Sequence, residues 1–252
     1  MKRVFALVDS RIDRECELSL VRRGFKVLKL PANKNLGEAV ASHTDLNIHL
    51  IQNTLVSTAE YCEENEALFT LLNKEIRGLR MCFTSDRLSS AHPRDAALNL
   101  LKLKDKMYAR ADAVSPFLKK LGEDMGYELV PVKQGYPACT VLKLNEEAAI
   151  TADNGMEKIL TKNGIRVTKI AEGGIELPPY PYGFIGGAAG VYDGTVYFLG
   201  DPKTHPSYPL IKEAAEKESL IVLALGTGAL RDLGGIVFVE DNVQDCNEKG
   251  HE

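Results

Sequence analysis

The chain has 252 residues, 44% of them hydrophobic, and a formal net charge of −4. That is apolar material for one large domain or two small ones, and the mild acidity disfavours nucleic acid, whose phosphates need a concentrated basic face. No apolar run reaches the ~18 residues of a membrane span, and five scattered cysteines with no Cys-x-x-Cys pair suggest neither a zinc site nor a disulfide framework, so no metal or cofactor is expected and a reducing cytoplasm is the expected location.

Met1-Lys2-Arg3-Val4-Phe5-Ala6-Leu7-Val8-Asp9 has too short an apolar stretch for a signal peptide and reads as a first strand over 4–9. A helix over 13–23 stops at Gly24, and a strand over 25–30 follows. The next helix, over 63–77, has Leu68, Leu71, Leu72 and Ile76 at helical spacing, and Gly78 separates it from a strand over 79–84. Helix 115–125, Gly126 and strand 127–132 repeat the pattern, as do helix 155–163, Gly164 and strand 165–170. A strand over 195–200 precedes helix 207–218, which leads into strand 219–225 with Ser219 where glycine stood before. A last strand over 236–240 can meet 4–9 and close a ring, leaving a polar tail over 242–252 that is expected to fray.

The five helix ends (24, 78, 126, 164, 219) lie 54, 48, 38 and 55 residues apart. An acidic residue ahead of each helix (Asp9, Glu60, Asp112, Asp153, Asp201) keeps a similar rhythm of 51, 52, 41 and 48, so the unit repeats. Glycine past a helix supplies the left-handed cap, and an acid before it suits the N-terminal dipole. Asn145-Glu146 and Asp193-Gly194 read as hairpin turns, which makes each unit strand–helix–strand–strand. Such a unit cannot bury its own apolar face, so several must share a core. The Pro/Gly-rich segment 173–190, with Pro178-Pro179-Tyr180-Pro181-Tyr182-Gly183, reads as a long loop within the fourth unit, not a linker, giving a single domain over 1–241.

Five such units with closure between the termini resemble the pentein fold, the five-bladed α/β propeller of the guanidine-modifying enzymes, over Val4 to about Asp241. Tyr136-Pro137-Ala138-Cys139-Thr140-Val141-Leu142 and Phe184-Ile185-Gly186-Gly187-Ala188 are also similar to an uncharacterised family of that fold. The resemblance implies a central pocket lined by the segments that enter the first hairpin strand of each unit. These are Ser42–Leu46, Ala91–Asp95, Gly135–Cys139, Ile185–Ala188 and Ala229–Leu233, with Asp45, Cys139 and Gly186 at roughly equivalent positions.

The resemblance further implies a cysteine-dependent hydrolase or transferase acting on a small cationic guanidino or amidino compound. His43-x-Asp45 resembles the family's histidine–x–aspartate step and Cys139 its nucleophile, with His43 as acid/base and Asp45 and Asp95 holding the cation. His92, Gly186, Gly187, Arg231 and Asp232 are further candidates for the substrate site. The chemistry is coherent: a cation and an imidazole favour the thiolate, and carboxylates bind a planar guanidinium through paired charge-assisted hydrogen bonds. Three features depart from the pattern. Catalytic members carry the nucleophile in the last unit, whereas Cys139 lies in the third. His43 sits two units earlier, and no acidic residue flanks Gly186-Gly187. The only late cysteine, Cys246, is in the tail.

Plainer readings stand beside these. A cysteine in an apolar strand is a small core residue, His43 to Asp45 can cap a helix, and His92-Pro93-Arg94-Asp95 can be a turn. Gly186, Gly187 and Gly190 can mark close backbone approach, and Arg231 and Asp232 can pair on a rim. His49 and His205 read as structural, and Gly226-Thr227-Gly228 lacks nucleotide-loop spacing. The other functional class is a non-catalytic binding protein, because ribosome anti-association factors share the five-unit fold. It predicts a polar-poor centre and an interface at Tyr180–Tyr182. A degenerate small-ligand binder is the third.

Overall fold

A computed structural model describes residues 3–241. Five three-stranded sheets carry the architecture, and all five have the same wiring. An inner strand pairs antiparallel with a middle strand; a helix then returns the chain to an outer strand parallel to the middle one. Sheet two is Ile48–Ile51, Thr54–Thr58 and Arg80–Thr84, sheet three Leu101–Leu103, Lys106–Ala109 and Glu128–Pro131, and sheet four Val141–Lys143, Ala148–Thr151 and Arg166–Lys169. Sheet five is Ala189–Tyr192, Thr195–Phe198 and Ile221–Ala224. Sheet one takes its middle and outer strands from the N-terminus, Val4–Asp9 and Lys26–Leu30, and its inner strand from the C-terminus, Val237–Glu240. The two ends of the chain thus meet in one sheet, with Val4 opposite Glu240 and Leu7 opposite Val237.

The helix-end residues set the register. Gly24, Gly78, Gly126, Gly164 and Ser219 all hold positive φ, between 59° and 90°. The residue two positions later opens the parallel pairing in every sheet: Lys26 with Phe5, Arg80 with Thr54, Glu128 with Lys106, Arg166 with Ala148 and Ile221 with Thr195. The helices are Arg14–Arg22, Ala59–Glu64 with Glu66–Glu75, Pro116–Asp124, Asn154–Lys162 and Tyr208–Lys217. The expected helix over 63–77 is two, broken at Asn65, whose side-chain amide donates to the Tyr61 carbonyl. The acidic markers are more varied than their rhythm suggests. Asp153 accepts from Met156 N and caps its helix, but Thr58 and Ser115 cap the second and third, and Asp112 pairs with Arg110 in the preceding loop. Asp201 caps a single 3-10 turn, Pro202–Thr204, and Asp9 accepts from Arg11.

The apolar cores lie between neighbouring units. Phe5 and Leu30 of sheet one pack with Ile48, Leu55 and Leu72 of unit two; Ile51 and Val56 pack with Met107 and Leu118 of unit three. Leu103 and Tyr108 meet Ala149 and Leu160 of unit four, and Leu142 and Ile150 meet Val196 and Phe198 of unit five. The circle ends where Tyr197 and Leu199 of unit five pack with Leu20 and Phe25 of unit one. Each unit therefore buries its faces only against its neighbours, and the fold is a five-bladed α/β propeller. Asp241 fastens the join, accepting from Arg77 N at 2.9 Å, Arg77 Nη2 at 3.0 Å and Arg3 Nε at 2.9 Å. Among the described residues no helix is long and apolar enough to cross a membrane. Cys246 and the tail 242–252 lie outside the described residues.

Candidate active site

Each inner strand is entered through a tight turn: Thr44–Asn47, Arg94–Ala96, Pro137–Thr140 and Gly186–Ala188 are one-turn helices, and Gly234-Gly235, both at positive φ, leads into the fifth. The hairpin registers make positions in these turns equivalent. His43, Asp95, Tyr136, Phe184 and Arg231 each lie eight residues before Ile51, Leu103, Leu144, Tyr192 and Val239, the residues opposite Thr54, Lys106, Ala148, Thr195 and Phe5 of the middle strands. Four of these five, all but Arg231, line one cavity of about 320 Å3, together with Cys139 and Asp232. By the same register Asp45 is equivalent to Ala138 and Gly186, one residue short of Cys139.

Cys139 is not in a strand. It sits in the turn Pro137–Thr140, 4% exposed, and its thiol donates to Asp45 Oδ2. Asn99 links the pair from a third turn: its side-chain amide donates to Asp45 Oδ2 at 2.8 Å and lies 3.8 Å from the Cys139 sulfur, while its carbonyl accepts from Ala138 N at 2.8 Å. His43 is 1% exposed, with Nδ1 3.9 Å from Asp232 Oδ1 and Nε2 buried without a partner. Asp232 accepts from Phe184 N and Gly234 N, which fixes its carboxylate toward the imidazole. Asp95 accepts from the Tyr136 hydroxyl and pairs with His92 Nδ1 at 3.2 Å.

One ligand atom from each of His43, Asp45 and Cys139 falls within 4.8 Å of the others. The thiol, the imidazole and the carboxylate thus converge on one point, and the same donor set could hold a metal ion such as zinc. Burial governs their protonation. Asp45, whose Oδ1 is shut off from solvent and unpartnered, is pushed up to about 7, chiefly by desolvation and also by Asp232. Desolvation raises Cys139 well above the usual thiol value, and the Asp45 and Asp232 charges raise it further. Desolvation lowers His43 and raises Asp232. The resting cavity is therefore a neutral thiol and a neutral imidazole among buried carboxyl groups, with no side-chain cation on its lining.

Several sequence candidates stand elsewhere. Arg231 pairs with Asp13 at 2.7 Å, neither with Asp232 nor on the cavity. His92 supports Asp95 from behind and bonds to Tyr136, facing a different groove with Arg110 and Gln134. Gly186 and Gly187 are not on the cavity wall either. A Cβ on Gly186 would stand 2.4 Å from Ala138 O and 2.7 Å from Cys139 O, and one on Gly187 1.9 Å from Asp232 Oδ1. Both glycines let the Gly186–Ala188 turn press against the Cys139 turn and the Asp232 carboxylate. Asn99 and Tyr136 were not singled out from sequence. Register counting from the hairpins could have found Tyr136, and nothing local marks Asn99.

A family model described as "Family of unknown function (DUF6873)" matches residues 7–237. No curated protein matches the chain in sequence. Among solved structures, DDAH from Pseudomonas aeruginosa, a cysteine-to-serine mutant complexed with citrulline, is similar at TM-score 0.58 and 12% identity, covering 95% of this chain and 98% of that one. Inosamine-phosphate amidinotransferase StrB1 from Streptomyces griseus is similar at TM-score 0.55 and 15% identity, covering 92% and 81%. C. jejuni agmatine deiminase is similar at TM-score 0.55 and 8% identity, covering 89% and 91%. These likenesses establish the pentein fold.

Proposed function

We propose that this chain, which belongs to the family of unknown function DUF6873, is a cysteine-dependent hydrolase or transferase acting on a guanidino or amidino compound. The observation that carries the reading is the inner end of the cavity, where the Cys139 thiol, bonded to the Asp45 carboxylate that lies outside the lining, stands with two further buried carboxyl groups, Asp95 and Asp232, and an imidazole whose Nε2 has no partner, with no side-chain cation on the lining. Such a site lacks a positive charge, and a guanidinium supplies one in planar form. The fold neighbours, an amidinotransferase and a deiminase among them, support the same class.

In this reading Asp95 and Asp232, on the cavity lining, hold the cation, and Asp45 adds its charge from beside Cys139. The cation's charge lowers the proton affinity of both Asp45 and Cys139, so the thiol ionises only with substrate present. The His43 imidazole, neutral at rest, takes the thiol proton; the sulfur attacks the central carbon; and His43 returns the proton to the departing amine. Water or a second amine then releases the carbon from sulfur, giving hydrolysis or transfer. Asn99 touches both Asp45 and the sulfur and keeps the S–H directed at the carboxylate. The binding-protein alternative requires a polar-poor centre, whereas this centre holds three acids, a histidine and a cysteine.

The test is a matched pair of alkylating agents, chloroacetamidine and chloroacetamide, which differ in charge and hardly in shape. The cationic amidine should label Cys139 faster than the neutral amide, while Cys16, Cys62 and Cys82 show no such preference. His43→Ala should remove most of the gap. Equal rates of the two reagents at Cys139, or labelling only after unfolding, would refute the reading.

A further inference from the structure

The cavity above its acidic floor is apolar and aromatic. Leu46, Leu177 and Phe184 form walls, and Tyr180-Pro181-Tyr182 forms the mouth. The mouth segment is exposed, Tyr180 at 54%, and is tied down at both ends: Tyr180 N donates to Leu177 O at 2.8 Å and the Tyr182 hydroxyl to Glu172 at 3.2 Å. No lysine or arginine contributes to the lining. Of the arginines in the surrounding loops, Arg231 pairs with Asp13, Arg11 with Asp9 and Arg110 with Asp112, and Arg94, beside Asp95, is exposed and outside the lining. The mouth segment is bonded to one charged group, the Glu172 carboxylate that receives Tyr182 and itself lies outside the cavity lining.

We infer that the substrate is a guanidine or amidine with an apolar or aromatic body and no carboxylate. The inference rests on the guanidine reading and narrows it. An amino-acid substrate would bring its carboxylate to a rim of aromatic rings and Glu172, where it would lose water and meet a like charge with no cation to receive it. An aryl or alkyl body at the same place stacks on Tyr180 and Tyr182 and covers apolar wall, while the cationic head can also lie against the negative faces of the rings on its way in. The mouth is an aromatic strap held by the Tyr180 turn, the Tyr182 hydroxyl and the Gly183 N–H bond to Ile175 O, so it selects by shape and charge without having to close.

The experiment is titration calorimetry on the whole chain, wild type and the non-reacting Cys139→Ala variant, with benzylguanidine and para-(guanidinomethyl)benzoate. The two probes share the head group and ring and differ in one carboxylate. Benzylguanidine should bind about tenfold or more tightly than its carboxylated partner, the scale of one uncompensated like-charge contact. Tyr180→Ala, at an exposed position that should not disturb folding, should weaken benzylguanidine several-fold. Equal or tighter binding of the carboxylated probe overturns the inference and leaves the guanidine reading standing. If neither probe binds and methylguanidine also fails, the guanidine reading falls, and the inference with it. Unchanged affinity in Tyr180→Ala removes the mouth from specificity.

Discussion

Asp45 should cost the folded protein stability, and the cost should depend on pH in a calculable way. Its carboxyl is pushed from the ordinary 3.8 up to about 7 by burial and by Asp232, so the native state binds its proton more tightly than the unfolded chain does. A raised acid gives full native stability below the unfolded value, and that stability drains away as pH climbs toward the folded value. The gap, at about 1.4 kcal/mol per pH unit, corresponds to at most about 4 kcal/mol lost above about pH 7, of which about 3 kcal/mol is lost between about pH 5 and about pH 8. Asp45→Asn removes the titration. Its amide carbonyl can still accept from Asn99 and Cys139, but its NH2 would face the unpartnered side where Oδ1 now lies, at a cost of about 1–3 kcal/mol that does not vary with pH. Relative to wild type the variant should therefore gain about 2–3 kcal/mol between about pH 5 and about pH 8, whatever its offset at either pH. Urea denaturation of both proteins at the two pH values measures this. A difference between variant and wild type that is the same at both would refute the argument that Asp45 is a proton-holding group. The Asn variant should also lose the amidine preference in Cys139 labelling, since one of the carboxylates that attract the cation is gone.

Asn99→Ala leaves Ala138 N and Asp45 without their bonds and should lower stability by about 1–3 kcal/mol in urea denaturation. It should also blunt the amidine preference of Cys139, because the amide that steadies the Asp45 carboxylate beside the thiol is gone. Ser219→Gly should raise stability by about 0.5–1 kcal/mol, since a left-handed serine is strained and glycine is not, while Gly126→Ala, at φ +89° in open space, should lower it by about 1–2 kcal/mol; thermal melts read both. Asp241→Asn weakens the bonds from Arg3 and Arg77 that hold the join of the two chain ends. Because those arginines depress the Asp241 carboxyl, its stabilisation is present above the ordinary aspartate range and lost as pH falls through the depressed value, so the variant's deficit should be smaller in strong acid than at neutral pH.

The helix ends were legible because their signal is local. A glycine that must take positive φ cannot be replaced cheaply, and five such positions, one a serine, fix five registers. Apart from the two strands of sheet one, 4–9 and 236–240, the inner and middle strands were legible chiefly as hairpins, where the turn residue announced itself. Asp193-Gly194 does so with φ of 44° and 71°, whereas the turns after Ile51 and Leu103 place Gln52 and Lys104 in the left-handed region, where neither residue type marks a turn. Those strands are three to five residues long, and several, such as Thr54–Thr58 and Ala148–Thr151, are buried on both faces. Alternation, which is how a strand with one wet face shows itself, is absent from them. The Ala-rich 148–151 run follows two glutamates and has helical propensity; packing between units four and five makes it a strand.

The site was legible as a set of residues before it was legible as an arrangement, and the reason lies in the ring. Along the sequence, His43 and Cys139 belong to turns entering sheets two and four, and a whole unit separates them. In a closed ring of five, no two units are more than two steps apart, and at the axis a two-step separation is only a few ångströms, as the 4.8 Å span of His43, Asp45 and Cys139 shows. The linear order of nucleophile and histidine therefore constrains the chemistry far less than the register of each turn. Counting back from the hairpins places His43, Asp95 and Tyr136 on one circle, with Cys139 three residues further along its turn than Tyr136. Asp232 reaches the same centre from the turn that leads into the C-terminal strand, so it depends on the pairing of Val237–Glu240 with Val4–Asp9. Closing the propeller and completing the acidic floor are one event, which links the Asp241 join to the site. Loosening that join should lower guanidine binding through Asp232 even though Asp241 itself stands outside the cavity lining.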